Sequence, residues 1–113
     1  MLRYEMQRSG FDMVIKELLD SGKVYSGYSA GTLVAGMSIA GVELEDEPNF
    51  AEEVIKEGLN LVPFVIKSHV DDPEQKDIMI AFRDTHKDKE VIELTDSQAV
   101  IFNDTEHKIV EAV

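Results

Sequence analysis

Hydrophobic residues recur every three or four positions near the start of the chain, which is the spacing of one face of an α-helix. The pattern predicts two helical pieces, residues 1–7 and 11–19, and Ser21-Gly22 supplies a typical helix end. The apolar face of the second piece consists of Phe11, Val14, Ile15, Leu18 and Leu19. Because the opposite face is charged, we expect this helix to cover a hydrophobic core with one side only.

A short β-branched and aromatic run, residues 24–27, changes directly into a helix-forming run. The strand is predicted to end at Gly27, and the following helix is predicted to continue to Ile39 and to end at Gly41. Small residues on this helix predict close packing on the strand that precedes it: Gly31, Ala35 and Gly36.

The rest of the chain alternates between strands and helices. A buried strand is predicted over residues 59–66, just before His69. Pro73 then opens a helix that is predicted to run to about His86. Three more strands with polar turns between them complete the chain, and a three-stranded antiparallel arrangement is the simplest one: residues 90–94, 99–102 and 108–113.

This order of elements predicts an α/β fold with a small, mainly parallel sheet and a β-rich C-terminus. The 113 residues suit one hydrophobic core, so we expect a single domain over residues 1–113. The 43% of hydrophobic and 30% of charged residues are ordinary for a soluble globular protein.

Charge and residue types exclude several classes of function. The 11 basic and 23 acidic residues give a net charge of −12, which argues against nucleic acid or an anionic membrane surface as a partner. Without cysteine there is no disulfide framework, no thiolate metal site and no cysteine nucleophile. The sequence shows no signal-peptide pattern and no apolar run near the roughly 18 residues of a membrane span, so we expect a cytoplasmic protein.

The segment Gly27-Tyr28-Ser29-Ala30-Gly31 matches the G-x-S-x-G pattern of a nucleophile elbow. In such a strand-to-helix turn the serine hydroxyl projects from the sheet, and glycines flank it because a Cβ there would collide with neighbouring backbone. The first N–H groups of the helix, beginning with Ala30, would face an oxyanion that forms beside Ser29. The pattern therefore predicts a serine hydrolase.

Such an enzyme also needs a base and an acid that orients the base. Of the three histidines, His86 and His107 lie in polar, turn-like segments and are predicted to be surface residues, whereas His69 ends an apolar strand. Open α/β sheets place their chemistry at such strand ends, so His69 is the candidate base. The acidic loop after the elbow offers four candidate acids, among which composition does not choose: Glu43, Glu45, Asp46 and Glu47.

Three blocks of the sequence, taken together, resemble the serine peptidase family of dipeptidase E and cyanophycinase: residues 25–36, 58–69 and 95–100. The resemblance implies a three-layer α/β/α fold similar to class I glutamine amidotransferases, peptidase activity on short peptides, and no need for a metal or cofactor. It implies that Ser29 is the nucleophile, that His69 is the base, and that Ala30 supplies an oxyanion N–H. The family's acid follows the serine by about 15 to 17 residues, which makes Asp46 the first choice and Glu45 the second.

Two departures from the family pattern affect these expectations. Dipeptidase E carries an arginine after its histidine, whereas this chain has Pro73-Glu74-Gln75-Lys76 in that region. The resemblance therefore does not imply a preference for an N-terminal aspartate. Family members are roughly twice as long, and the segment without a counterpart here is the N-terminal half, with its strands and a second oxyanion donor. We therefore expect a weak or inactive hydrolase and a homodimer that covers the exposed sheet edge. The alternative is a catalytically silent domain that acts in self-association or protein interaction.

Overall fold

The computed structural model describes residues 1–41 and 55–112 and opens with two short helices. Helix α1 spans Leu2–Ser9 and α2 spans Phe11–Asp20, so both predicted helical pieces are confirmed. Gly10 separates them because its φ of 81° lies in the left-handed region, where glycine pays no Cβ penalty. An ion pair from Arg3 to Asp12, with 3.0 Å between the nitrogen and oxygen, then links the two helices.

The helix after the elbow, α3, is a single turn that spans Ala30–Leu33, so the prediction that it continues to Ile39 is wrong. The chain turns away because Gly36 lies against the strand that leads to His69: a Cβ at Gly36 would be 3.0 Å from the carbonyl oxygen of Phe64. Met37 N–H donates to the same oxygen at 3.0 Å. Gly36 thus allows packing on a later segment of the chain, and residues 24–27 do not form a strand.

A parallel strand pair forms the centre of the fold. Strand β1 spans Val65–Lys67 and is completely buried, and it pairs in parallel with β2, Val91–Glu93. The connection contains a 3₁₀ turn at Pro73–Gln75 and helix α4, Lys76–Thr85, which confirms the helix predicted after Pro73. A β-strand, a helix and a parallel strand form the unit expected of an α/β fold.

The C-terminal strands differ from their predicted arrangement. Strands β3, Gln98–Phe102, and β4, His107–Glu111, form an antiparallel hairpin, while the strand before them pairs with β1 instead. The three-stranded antiparallel finish is therefore wrong. The reason is that β2 is half-buried beside a fully buried strand, and that pairing encloses its apolar residues better than an exposed hairpin would.

The hydrophobic core has two parts. The part around β1 and β2 contains Ala35, Phe64, Ile66, Ile92 and Leu94. The other part lies beside α1 and contains Leu33, Val34, Ile39 and Leu59. Among the described residues, every helix is too short or too polar to cross a membrane.

His86 contradicts its predicted surface position. It follows α4 and is only 2% exposed. Its Nδ1 lies 2.9 Å from the carbonyl oxygen of Phe82, and its Nε2 lies 2.8 Å from the hydroxyl of Ser38. A carbonyl oxygen only accepts, so Nδ1 donates, and in the neutral ring Nε2 accepts from Ser38. The surrounding sequence is polar, but both ring nitrogens are satisfied inside the fold. His107 is exposed, as predicted.

Candidate active site

The elbow holds Ser29 in a strained backbone conformation, with φ 52° and ψ −114°. A non-glycine residue in such a sparsely populated region costs about 1–3 kcal/mol, so the surrounding structure must impose the conformation. The hydroxyl of Thr32 donates to the carbonyl oxygen of Gly27 at 2.9 Å, and the hydroxyl of Tyr25 donates to that of Gly31 at 2.5 Å. These two bonds close the turn on both sides of the serine.

The two elbow glycines have different physical roles. A Cβ at Gly27 would collide with the carbonyl oxygen of Gly31 and would lie 2.9 Å from the backbone nitrogen of Thr32, so glycine is required there. A Cβ at Gly31 would meet only the hydroxyl of Tyr25, at an ordinary 3.7 Å. The expectation that both positions exclude a Cβ by collision is therefore correct for Gly27 and wrong for Gly31.

The structure brings Ser29 and His69 together, with 2.9 Å between the serine Oγ and the imidazole Nε2. His69 lies just past the C-terminal end of β1 and has a φ of 61°. Two backbone hydrogen bonds hold the chain after it: Val70 N–H donates to Leu94 at 3.2 Å, and Asp72 N–H donates to the carbonyl oxygen of His69 at 3.2 Å. The histidine is thereby fixed against the end of the parallel strand pair.

The carboxylate at the other ring nitrogen belongs to Asp96, whose Oδ1 lies 2.6 Å from Nδ1 of His69. Asp96 lies in the turn after β2, and its N–H donates to the carboxylate of Asp71 at 3.1 Å. The predicted acids, Asp46 and Glu45, lie outside the described residues together with the rest of their acidic loop, so their assignment stays a prediction.

Reasoning from the sequence missed Asp96, although one signal was available. The block that contains it, residues 95–100, belongs to the family resemblance, but no role was assigned to its aspartate. Parallel strands end at the same edge of a sheet, so a residue just past β2 lies near a residue just past β1. Had the parallel pairing of β2 been foreseen, Asp96 would have been a candidate partner for His69.

The contacts define the direction of each hydrogen bond. A carboxylate only accepts, so the Nδ1–H of His69 donates to Asp96, and in the neutral ring Nε2 is left as the acceptor for the hydroxyl proton of Ser29. This is the tautomer that a general base needs. The side chains of His69 and Asp96 are 29% and 60% exposed, so water screens their interaction in part.

The backbone N–H of Ala30 is the available donor beside the serine. The next N–H groups are used within the turn. That of Gly31 donates to the carbonyl oxygen of Tyr28, and those of Thr32 and Leu33 donate to the carbonyl oxygen of Ser29. Among the described residues the N–H of Ala30 has no such acceptor, so it is free to bind an oxyanion. The 82% exposed ring of Tyr28 stands edge-on to His69, with 6.4 Å between ring centroids, at the open side of the site.

A metal site is not evident from the described residues. Within residues 1–41 and 55–112, the acidic and histidine side chains form no group of three or more that could hold a metal ion. The expectation that no metal or cofactor is needed stays a prediction.

A serine on a strained elbow, within hydrogen-bond reach of a histidine that contacts an aspartate, is the arrangement typical of serine hydrolases. The chain belongs to peptidase family S51, whose sequence profile matches residues 1–110. This confirms the resemblance to the dipeptidase E group and the α/β fold expected from it.

Individual relatives agree with this family. An uncharacterized peptidase of Listeria innocua is 31% identical over 107 residues, which cover 93% of this chain and 51% of that protein. Peptidase E of Shewanella amazonensis is 34% identical over 74 residues, which cover 63% of this chain and 29% of that protein. This chain therefore spans about half or less of the length of these relatives.

The fold is also similar to a solved structure. A crystal structure from Listeria monocytogenes EGD-e, of a protein provisionally named peptidase E, superposes with a TM-score of 0.84 at 25% sequence identity. The match covers 99% of this chain and 55% of that chain. The described helices and strands are thus arranged as in a peptidase E fold.

Proposed function

We propose that this chain is a serine-type peptidase of family S51 that hydrolyses short peptides through Ser29, His69 and Asp96. The observation that carries the proposal is the continuous contact from Ser29 Oγ to His69 Nε2, at 2.9 Å, and from His69 Nδ1 to Asp96, at 2.6 Å. Membership of the family and the relatives named peptidase E support the substrate class.

The reaction would proceed in two halves. Ser29 Oγ attacks the peptide carbonyl carbon while His69 Nε2 takes its proton, and Asp96 stabilises the resulting imidazolium. The N–H of Ala30 donates to the oxyanion. The C–N bond then breaks, and His69 gives the proton to the leaving amine. Water then attacks the ester carbon on Ser29 while His69 takes its proton. As that intermediate collapses, the bond between the carbon and Ser29 Oγ breaks, His69 returns the proton to Oγ, and the acid is released.

The proposal includes a low rate for this chain by itself. Ala30 is the oxyanion donor that the described residues supply beside Ser29, and the loss of one oxyanion donor from an active site costs about 10²–10³ in rate. The exposure of Asp96 weakens its effect on His69 further. Where in the cell the protein acts stays a prediction.

A fluorophosphonate probe tests the nucleophile directly, because it reacts with an activated serine and needs no knowledge of the substrate. Mass spectrometry is expected to find the adduct on Ser29 and to find none after Ser29→Ala or His69→Ala. Ser26→Ala and His107→Ala are matched controls, since both residues are exposed and lie outside the contacts of the site. An adduct that persists in His69→Ala would contradict the proposed base, and no adduct in the unsubstituted chain would contradict activity.

The second candidate function is a catalytically silent domain that associates with itself. Large apolar side chains that are exposed favour it: Val24, just before the elbow in the chain, is 90% exposed, and Met13 on α2 is 82% exposed. We propose that a second copy covers this surface whether or not the chain is active. Size-exclusion chromatography with light scattering is expected to show a dimer, which Val24→Lys should weaken. A clean monomer at micromolar concentration would refute self-association.

A further inference from the structure

Lys67 is the last residue of β1 and is 0% exposed, which is unusual for a lysine unless its amino group is paired. Its Nζ donates to the carbonyl oxygen of Ser68 at 3.1 Å and to Oε1 of Gln75 at 3.1 Å. These two acceptors stand at opposite ends of the segment 68–75, which carries His69. The lysine therefore closes this segment into a loop from inside the protein.

The position of the Ser68 carbonyl matters because it belongs to the peptide unit that precedes His69. The orientation of that peptide plane sets φ of His69, which has the unfavourable value of 61°. The peptide unit after His69 is held separately, by the hydrogen bonds of Val70 to Leu94 and of Asp72 to His69. Lys67 thus holds one of the two peptide units that flank His69. Together these two units set the direction in which the imidazole ring points.

We propose that Lys67, together with Gln75, is a positioning residue that holds His69 in line with Ser29 and Asp96. Lys67 acts through the Ser68–His69 peptide and has no role in the chemical steps. The effect on rate rests on the function proposed above, whereas the effect on the geometry of His69 does not.

Two substitutions break this connection from opposite ends. Lys67→Met keeps the length of the side chain and removes its donors, and Gln75→Leu removes the acceptor at a half-buried position where folding is less at risk. Gln75→Glu keeps an acceptor and is the conservative variant. Lys76→Met is the matched control because it removes an exposed lysine from the adjacent position.

The first measurement is the ¹⁵N imidazole NMR spectrum of His69, assigned by comparison with His69→Ala. In the unsubstituted chain we expect the signal of an Nδ1 that carries the proton and donates it in a hydrogen bond to Asp96. Lys67→Met and Gln75→Leu are expected to shift and broaden this signal, and Gln75→Glu and Lys76→Met are expected to preserve it. This spectrum reports on geometry even if the chain hydrolyses nothing.

The second measurement is the rate of fluorophosphonate labelling of Ser29 in the folded protein, with thermal unfolding recorded for each variant. A displaced base is expected to slow labelling on the order of tenfold to a hundredfold in Lys67→Met and Gln75→Leu. Gln75→Glu is expected to be labelled at the rate of the unsubstituted chain. If the unsubstituted chain is not labelled, the proposed function fails and the imidazole spectra decide this inference. The positioning role would be overturned if the variants lose thermal stability but keep the spectrum and the labelling rate. If Lys67→Met does not fold, the result for Gln75→Leu decides.

Discussion

Replacing Asp96 by asparagine is expected to slow the reaction of Ser29 without unfolding the protein. The amide is nearly the same size as the carboxylate, but its NH₂ group can face Nδ1 of His69 and favour the tautomer that carries its proton on Nε2. That tautomer cannot accept the proton of Ser29. Because Asp96 lies in a turn and is 60% exposed, the substitution should cost little stability.

The expected size follows from the contact itself. Losing a hydrogen bond to a charged group costs about 1.5–3 kcal/mol, which corresponds to a rate loss of roughly 10- to 150-fold at 1.36 kcal/mol per tenfold. A buried acid in the same role is worth more, about 10⁴. The smaller value applies here because water reaches both Asp96 and His69 and can replace part of the interaction.

The assay is the second-order rate constant for fluorophosphonate labelling of Ser29, measured with urea unfolding on the same samples. Asp104→Asn is a matched control because Asp104 lies in the exposed turn between β3 and β4, with a φ of 81° that asparagine tolerates. Asp46→Asn and Glu45→Gln test the acids favoured by the family resemblance. Slow labelling in either of these, with a normal rate in Asp96→Asn, would refute the reasoning from the structure.

Three further changes test the elbow and two side-chain contacts elsewhere in the fold. Gly27→Ala places a Cβ against the opposite backbone of the elbow and is expected to lower the free energy of unfolding by about 1–3 kcal/mol, measured in urea; unchanged stability would contradict the close approach. His86→Phe keeps a ring in the core but removes the hydrogen bond to Ser38, so calorimetry is expected to show a loss of about 1–3 kcal/mol, and an unaltered melting temperature would argue against that bond. The hydrogen bond from Arg83 holds the pKa of Glu93 below its ordinary value of 4.5, so the pair stabilises the fold above that pH and loses this effect as the pH falls through the lowered pKa. Urea titrations should therefore show that the free energy of unfolding lost in Arg83→Met becomes smaller below pH 4.5, and a loss that grows in acid would count against the pair.

The features that could be predicted from sequence depend on short-range signals. Helices α1 and α2 follow from apolar spacing and from a glycine between them, and the start of the helical segment before α4 follows from Pro73. The elbow is a five-residue pattern, so Ser29 can be proposed as a nucleophile from its immediate neighbours in the chain. His69 can be proposed because it closely follows an apolar run whose end enters the buried strand Val65–Lys67.

The features that could not be predicted depend on which distant segments meet. Helix α3 ends at Leu33 because Gly36 must approach the backbone of Phe64, and the helix pattern of residues 34–39 contains no sign of that contact. The polar neighbours of His86 indicate a surface residue, yet its two hydrogen bonds bury it. In the first case a tertiary contact outweighs a helix preference worth less than about 1 kcal/mol per residue, and in the second two hydrogen bonds compensate the burial of a polar ring.

By itself, the sequence determined the class of fold, because that follows from the order of helices and strands along the chain. It also determined the elbow with Ser29 and the choice of His69 among three histidines, because these depend on residues within a few positions of one another. Only the tertiary structure decided that β2 pairs in parallel with β1, and with that pairing it decided that Asp96 lies 2.6 Å from His69. The acid that contacts the histidine follows it by 27 residues. No local pattern spans such a distance, and only the shared edge of two parallel strands brings the two side chains together.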